Sequence, residues 1–501
     1  MYESSASVFS SHSKHIVDRH RPIYHFGMPE GVANPFDPNA LIYYNGRYHL
    51  MLIVQIKRDN CWAHASSPDL VHWKIHPLAL TPGGADRGIY SGGIFINHDG
   101  VPTVSYWGIN FEPQPRVGVC LATSDDPDLI HWTKAPHNPV IQETEHGLTE
   151  GPDGTIYGAA DPSAIWEKSG RYYMLTGNLT VLNKFGIKQK RPEHQGDTTY
   201  LFVSDDLVNW NYLHPFYQSD RKWTDADEDN MCPDFFPLGD RYMLLFISHN
   251  HGCQYYLGRY ENDRFFPETH GRMSWIDRDF FAPESLLDHR GRRIMWAWIF
   301  DGRPKEVQLE SGWSGHLSLP RVLWLGDDRN LRMGVPEELQ ALRRHPRHVK
   351  TPCLLTAGVD DLLQGISGDS LEIQAEFDLH HAERAGLVVR ASPDGQEQTR
   401  VYYDVTLKKL CIDTTRSSLG PHGPKSIEAG PLELATGERL KLRVFIDKSV
   451  IEVFANDRQA VARTVYPTRL DSLSVAAFST GNSAALLAMR AWEMAPLVYE
   501  S

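Results

Sequence analysis

Short apolar stretches broken by polar turns run along most of the chain, and one such pattern returns five times. Its copies are DPNALIYYNGRYHLML from Asp37, SGGIFINHDGVPTVSY from Ser91, DPSAIWEKSGRYYMLT from Asp161, MCPDFFPLGDRYMLLF from Met231 and APESLLDHRGRRIMWAW from Ala282. Each has a glycine in its turn (Gly46, Gly100, Gly170, Gly239, Gly291) and then a second apolar stretch. These are hairpin signals, because tight strand-to-strand turns need backbone with positive φ. After the first three copies comes an Asp-Leu-x-x-Trp segment, SPDLVHW, DPDLIHW and SDDLVNW, ending at Trp73, Trp132 and Trp210. It reads as a turn leading into a strand on the outer part of a sheet. Helical periodicity is scarce. Like sequences at like places point to an all-β, five-bladed propeller of four-stranded blades, which a generic sandwich would not require.

The register of the copies carries functional information. Ten residues before Arg47, Val101, Arg171, Arg241 and Arg292 stand Asp37, Ser91, Asp161, Met231 and Ala282. Innermost strands line the axis of a propeller, so these positions are expected to form a ring at one mouth. A single Asp at the start of a strand is commonly a turn cap. Two Asp-Pro pairs at matched register point instead to chemistry. Glu284, two residues past the fifth ring position, is expected at the start of an inner strand in the blade next to that of Met231.

The pattern changes near residue 336. PEELQALRRH reads as a short helix and HPRHVKTP as a linker. From about residue 350 alternating segments such as SLEIQAEFDL, RVYYDVTL and RLKLRVFIDKSVIEVFAND indicate a C-terminal β-sandwich. An apolar strand pair lies around Asp447-Lys448, with no concentration of chemistry. The expected division is an N-terminal extension over 1–20, a propeller over 21–335, a short helix and linker over 336–350, and a sandwich over 351–501.

Composition narrows the partners. The chain has 501 residues, enough for two or three cores, and a net charge of −13 that argues against nucleic acid and anionic membrane. No apolar run approaches a membrane span, and MYESSASVFSSHSKHIVDRH has no apolar core of a secretion signal, so a cytoplasmic protein is expected. Six scattered cysteines without CxxC spacing read as reduced packing residues, not a disulfide or zinc framework. The 13 Trp, 21 Tyr and 20 Phe suit β-structure and also a sugar site, with core packing the role of most of them.

Taken together, RPIYHFGMPEG (21–31), DPNALIYYNGRYHL, WAHASSPDLVHW (62–73), DRGIYSGG (86–93), ADPSAIW, CPDFFPL (232–238), GWSGHLSLPR (312–321) and LRVFIDKSVIEVFAND (442–457) resemble glycoside hydrolase family 32, the invertases, inulinases and levanases. The resemblance covers nearly the whole chain. It implies retaining cleavage of a β-fructofuranosyl bond in a small carbohydrate, with no metal or organic cofactor. Asp37 would be the nucleophile and Asp161 the carboxylate that holds fructose hydroxyls and stabilises an oxocarbenium-like transition state. Trp62 and Trp313 would wall the sugar, Ser91 would offer a hydroxyl, and Met231 and Asp234 would line the substrate. Three positions depart from the family pattern: Phe36 stands for Asn, Ala160 for Arg, and Met231 for the acid/base Glu. A thioether cannot donate a proton. The substitute acid is sought first in Glu284 and otherwise in Asp227, Glu228, Asp229 or Asp234. Two other readings stay open: a decayed carbohydrate-binding protein, and fructosyl transfer in place of hydrolysis.

Overall fold

The computed structural model describes residues 18–28, 36–111, 116–151, 153–179, 194–276 and 278–500. Five blades succeed one another along the chain, each an antiparallel sheet built from one contiguous stretch except that the first also takes up the C-terminal strand. Blade I comprises Pro38–Tyr44, Arg47–Ile56, Asp59–Ser67 and His72–Leu80, to which Val498–Glu500 adds in parallel. Blade II has the inner piece Ile94–Ile96, then Pro102–Asn110 and Arg116–Thr123. Blade III is Trp166–Lys168, Arg171–Thr176, Thr199–Ser204 and Trp210–Tyr217, and blade IV is Met231–Leu238, Arg241–Ser248, Gly252–Glu261 and Arg264–Arg272. Blade V is Phe280–Leu287, Arg293–Ile299, Arg321–Leu325 and Leu331–Gly334, with the helix Lys305–Ser311 between its second and third strands.

The turns follow from their residues. Asn45 and Gly46 both have positive φ (47° and 81°), as do Ser169 and Gly170 (54° and 73°), the geometry that matches strand twist in a two-residue hairpin. The Asp-Leu-x-x-Trp segments form the same turn three times. In the first and third the aspartate before the leucine, Asp69 or Asp206, accepts backbone N–H groups just downstream, and in the second Asp126, two residues earlier, does so. The leucine takes positive φ (Leu70 66°, Leu129 57°, Leu207 62°), and the tryptophan indole N–H donates to that leucine's carbonyl. A backbone conformation costly for leucine is thus held by two side chains of its own motif.

The inner strands approach one another so closely that small residues are required. A Cβ on Gly93 would lie 2.3 Å from the backbone nitrogen of Ala164, and one on Gly177 would lie 2.4 Å from the carbonyl oxygen of Asn230. Three inner strands carry a residue with positive φ at an irregularity of their pairing: Ala40, Cys232 and Ala282. These bulges re-aim the side chains around them.

The C-terminal unit consists of two packed sheets, one of seven strands and one of six, with a core of residues such as Ile373, Leu387, Val444 and Val453 between them. The segment expected as helix and linker is structured differently. Glu337–Leu342 is a 3-10 turn, and Arg343–His348 is a strand pairing with Ala484–Met494. That strand is mostly exposed, so it needs no apolar alternation. The two units share apolar packing: Phe445, Phe454 and Ala460 of the sandwich join the core of blades I, IV and V.

A buried polar knot ties the same junction, at the strand pair around Asp447. The Asp447 carboxylate accepts the backbone N–H groups of Ile23, Tyr24 and His25 and pairs with His25 Nδ1 at 2.9 Å. His25 Nε2 reaches Glu452 at 3.2 Å, and Glu452 also takes Arg321 at 2.5 Å and the backbone of Leu319. Among the described residues no helix is long and apolar enough to cross a membrane.

Candidate active site

Asp37 immediately precedes the inner strand of blade I. Its backbone carbonyl accepts the N–H of Ile53 at 3.0 Å and the side-chain amide of Asn39 at 2.7 Å. The same Asn39 side chain accepts the N–H of Gly92 at 2.9 Å, which joins blade I to the Ser91–Gly92 stretch of blade II. Ser91 is thereby set to donate its hydroxyl to Asp37 Oδ2 at 3.0 Å. On blade III, Asp161 takes a left-handed backbone (φ 42°), a conformation that Asp tolerates better than most residues. Its Oδ2 accepts the thiol of Cys232, from the bulge of blade IV, at 3.4 Å.

The electrostatics tie these groups into one cluster. Burial pushes Asp37 up to about 6, against the hydrogen bond from Ser91 and the charge of His249. Burial also pushes Asp161 up, to about 7, and the neighbouring Asp37 carboxylate adds to the rise, because two like charges in a dry site resist joint ionisation. Burial and both aspartates keep Cys232 a neutral thiol, able to donate. Each aspartate thus has one donor from a neighbouring blade, Ser91 on Asp37 and Cys232 on Asp161, and the two carboxylates act on each other. Half-buried Tyr90 feels both carboxylates, and burial together with them keeps its phenol protonated. A cavity of about 400 Å³ adjoins Tyr90, lined by Gln55, Arg58, Asn60, Arg87 and Phe111 among others.

Other expected site residues stand elsewhere. Trp62 is 0% exposed and donates its indole N–H to the Tyr90 carbonyl, so it braces the Tyr90 backbone and presents no surface to a sugar. Trp313 is buried, donates to Asp18 and lies under the Arg303 guanidinium. Met231 is 1% exposed within the propeller core, with its sulfur against Gly177. Glu284 is the fifth residue of Phe280–Leu287, not its start, and the bulge at Ala282 lies between it and the mouth. Its charged neighbours are Asp234 and Arg293, not Asp37 or Asp161. Burial and Asp234 push it well above the usual carboxylate range. Asp234 is likewise mid-strand, accepts Ser285 and is raised to about 6 by burial. Asp234, Glu284 and Arg293 thus make a second buried cluster, apart from the aspartate pair.

Of the acid-rich segment, Glu228 is committed to Arg272 and Gln254. Asp229 holds His249, a residue the sequence did not single out, and His249 in turn is felt by both aspartates. Asn39 and Cys232 also escaped notice, although both lie inside repeat copies two residues and one residue past their ring positions.

A propeller that gathers two raised carboxylates at the start of its inner strands, followed by a β-sandwich, defines a glycoside-hydrolase type of protein. The model of the glycosyl hydrolases family 32 N-terminal domain matches residues 25–334, and that of the family's C-terminal domain matches residues 338–493. The chain belongs to glycosyl hydrolases family 32. It is 28% identical over 493 residues to a sucrose-6-phosphate hydrolase of Zymomonas mobilis, covering 91% of this chain and 89% of the relative. It is likewise 28% identical to a fructan 1-exohydrolase of Bromus pictus, covering 95% and 87%. In fold it resembles fructan 1-exohydrolase IIa of Cichorium intybus, with a TM-score of 0.81 at 24% identity over 96% and 98% of the two chains.

Proposed function

We propose that the protein hydrolyses β-fructofuranosides with retention of configuration, Asp37 acting as nucleophile and Asp161 as the carboxylate that stabilises the fructosyl cation. The observation that carries this reading is the pair of buried aspartates, Asp37 held by Ser91 and Asp161 by Cys232, which act on each other in one partly desolvated site. A carboxylate freed from water attacks an anomeric carbon more readily. A second carboxylate beside it favours the positive charge that grows as the leaving bond stretches. The chemistry needs no cofactor. The names of the sucrose-6-phosphate hydrolase and fructan exohydrolase relatives support fructosides as the substrate class. The six unpaired cysteines agree with a reducing, cytoplasmic setting.

The test is release of fructose from sucrose, inulin and levan by the intact protein and by Asp37→Asn. The native chain should release fructose, and the variant should lose about 10⁴-fold or more of the rate. Equal rates in the two would remove Asp37 from the reaction. A carbohydrate-binding protein without turnover would show sugar binding and no release from either chain.

A further inference from the structure

We infer that His249, held by Asp229 at the outer end of the inner hairpin of blade IV, is the proton donor of this site and takes over the task of the acid that Met231 displaces. The inference rests on the reading of Asp37 as a glycosidic nucleophile. Its geometry starts from the hairpin register. Met231 pairs with Ile247, and two residues further out on each side stand Asp229 and His249. One carboxylate clamps the whole histidine: Asp229 Oδ1 accepts its backbone N–H at 2.7 Å, and Asp229 Oδ2 accepts ring Nδ1 at 2.6 Å. Asp229 is buried, whereas the His249 side chain is 40% exposed, so the ring is anchored at one end and open at the other. Phe281 of blade V meets it edge-on at 5.7 Å.

The anchoring settles which nitrogen can work. An ionised carboxylate only accepts, so Nδ1 keeps its proton and Nε2 is left to exchange one. The groups that act on the ring are Asp229 on its own hairpin, Asp37 from blade I and Asp161 from blade III, all of which raise it against the effect of burial. Arg278 reaches only its backbone carbonyl. Asp37 and Asp161 thus favour the charged imidazole, and its charge in turn lowers both of them, so the open ring lies within electrostatic reach of the pair it would serve. Glu284 has no such relation to them.

The step balances without any further reactant. An Asp37 oxygen bonds to the anomeric carbon as the bond from that carbon to the leaving oxygen breaks, and the Nε2 proton passes to that oxygen to give a neutral alcohol. The neutral imidazole then takes a proton from water. The water oxygen bonds to the anomeric carbon, the ester to Asp37 breaks, and carboxylate and imidazolium are restored.

The experiment compares His249→Gln with the native chain on sucrose and on a nitrophenyl β-fructofuranoside, whose acidic phenol leaves without protonation. Loss of a general acid should cut turnover of sucrose by about 10²–10⁴-fold while the aryl fructoside falls less than about tenfold. Retained turnover of the aryl substrate also shows the variant to be folded. The alkaline limb of the kcat/KM profile should vanish in His249→Gln. It should move to lower pH in Asp229→Asn, where a positioning residue is weakened. Equal losses on both substrates, or an unchanged alkaline limb, would make the Asp229–His249 pair a structural clamp and overturn the proposal. So would the same leaving-group pattern appearing in Glu284→Gln and not in His249→Gln. A native chain inactive on both fructosides would defeat the fructosidase reading itself, and the donor role with it.

Discussion

At the scale of single residues, the site is assembled at a cost in stability. Burial first, and then Asp37, raise Asp161 to about 7. A carboxyl raised in the folded state contributes stability that is full below its unfolded pKa of 3.8 and is lost as pH rises through about 7. Asp161→Asn should therefore abolish fructoside turnover and yet stabilise the fold near pH 8, by on the order of 2 kcal/mol, with the gain disappearing towards pH 4. Urea unfolding at the two pH values checks this, and an equal or lower stability of the variant at pH 8 would contradict it. The residue scale is also where the sequence was most unevenly legible. Asp37, Ser91 and Asp161 were reachable by counting within a repeat. Glu284 was misplaced because counting cannot see the bulge at Ala282, which sets it mid-strand among Asp234 and Arg293. Trp62 was misread because a tryptophan that braces the Tyr90 backbone and one that meets a sugar look alike in sequence. His249 lies twenty residues from Asp229, and only the pairing of two strands makes them neighbours.

At the scale of elements, the propeller was legible because its repeat fixes both turns and strand order. The polar strand Arg343–His348 was not, since an edge exposed to solvent leaves no alternation to read. The repeat alone does not state how tightly the inner strands meet. Gly93 in blade II faces Ala164 in blade III, three residues past Asp161, with no space for a side chain. Gly93→Ala should push that strand outward, costing about 2 kcal/mol or more by overpacking and lowering turnover by displacing Asp161. Gly46→Ala is the instructive contrast. It meets nothing within 4 Å, so its cost comes from the positive φ alone, and turnover by the folded variant should stay as it was. Thermal melts and initial rates of the two variants separate the effects, and loss of rate in both would show that the distinction is wrong.

At the scale of the whole molecule, the strand pair around Asp447, which looked chemically empty in the sequence, proves to be the joint between propeller and sandwich. His25 enters from the N-terminal segment and is held between Asp447 and Glu452, while Arg321 of blade V lies against Glu452 and over the ring of Phe280. Burial alone would lower His25. The two carboxylates overcome it and raise the imidazole to about 9, and burial likewise yields to Arg321 and His25 at Glu452, which falls to about 2. A histidine raised in the folded state contributes stability that is full below its unfolded value of about 6.5 and is lost as pH rises through about 9. On the acid side blade I holds the opposite case. His49, His64 and His76 stack on adjacent strands, with centroids 5.3 Å and 4.4 Å apart, and burial lowers all three, His49 and His76 to about 4. Their contribution is full above about 6.5 and is lost as pH falls towards 4. Stability should therefore decline on both flanks for separate reasons. In His25→Gln the alkaline decline between pH 7 and 9 should flatten, because the group that loses its proton there is gone, while the acid decline persists. The variant should also be less stable at pH 7 by about 3 kcal/mol or more, since two buried carboxylates lose a cationic partner. Melting curves across pH 4 to 9 read both flanks at once. An alkaline slope as steep in the variant as in the native chain would mean that the joint is held by apolar packing around Phe445 and Phe454, with His25 a neutral bystander.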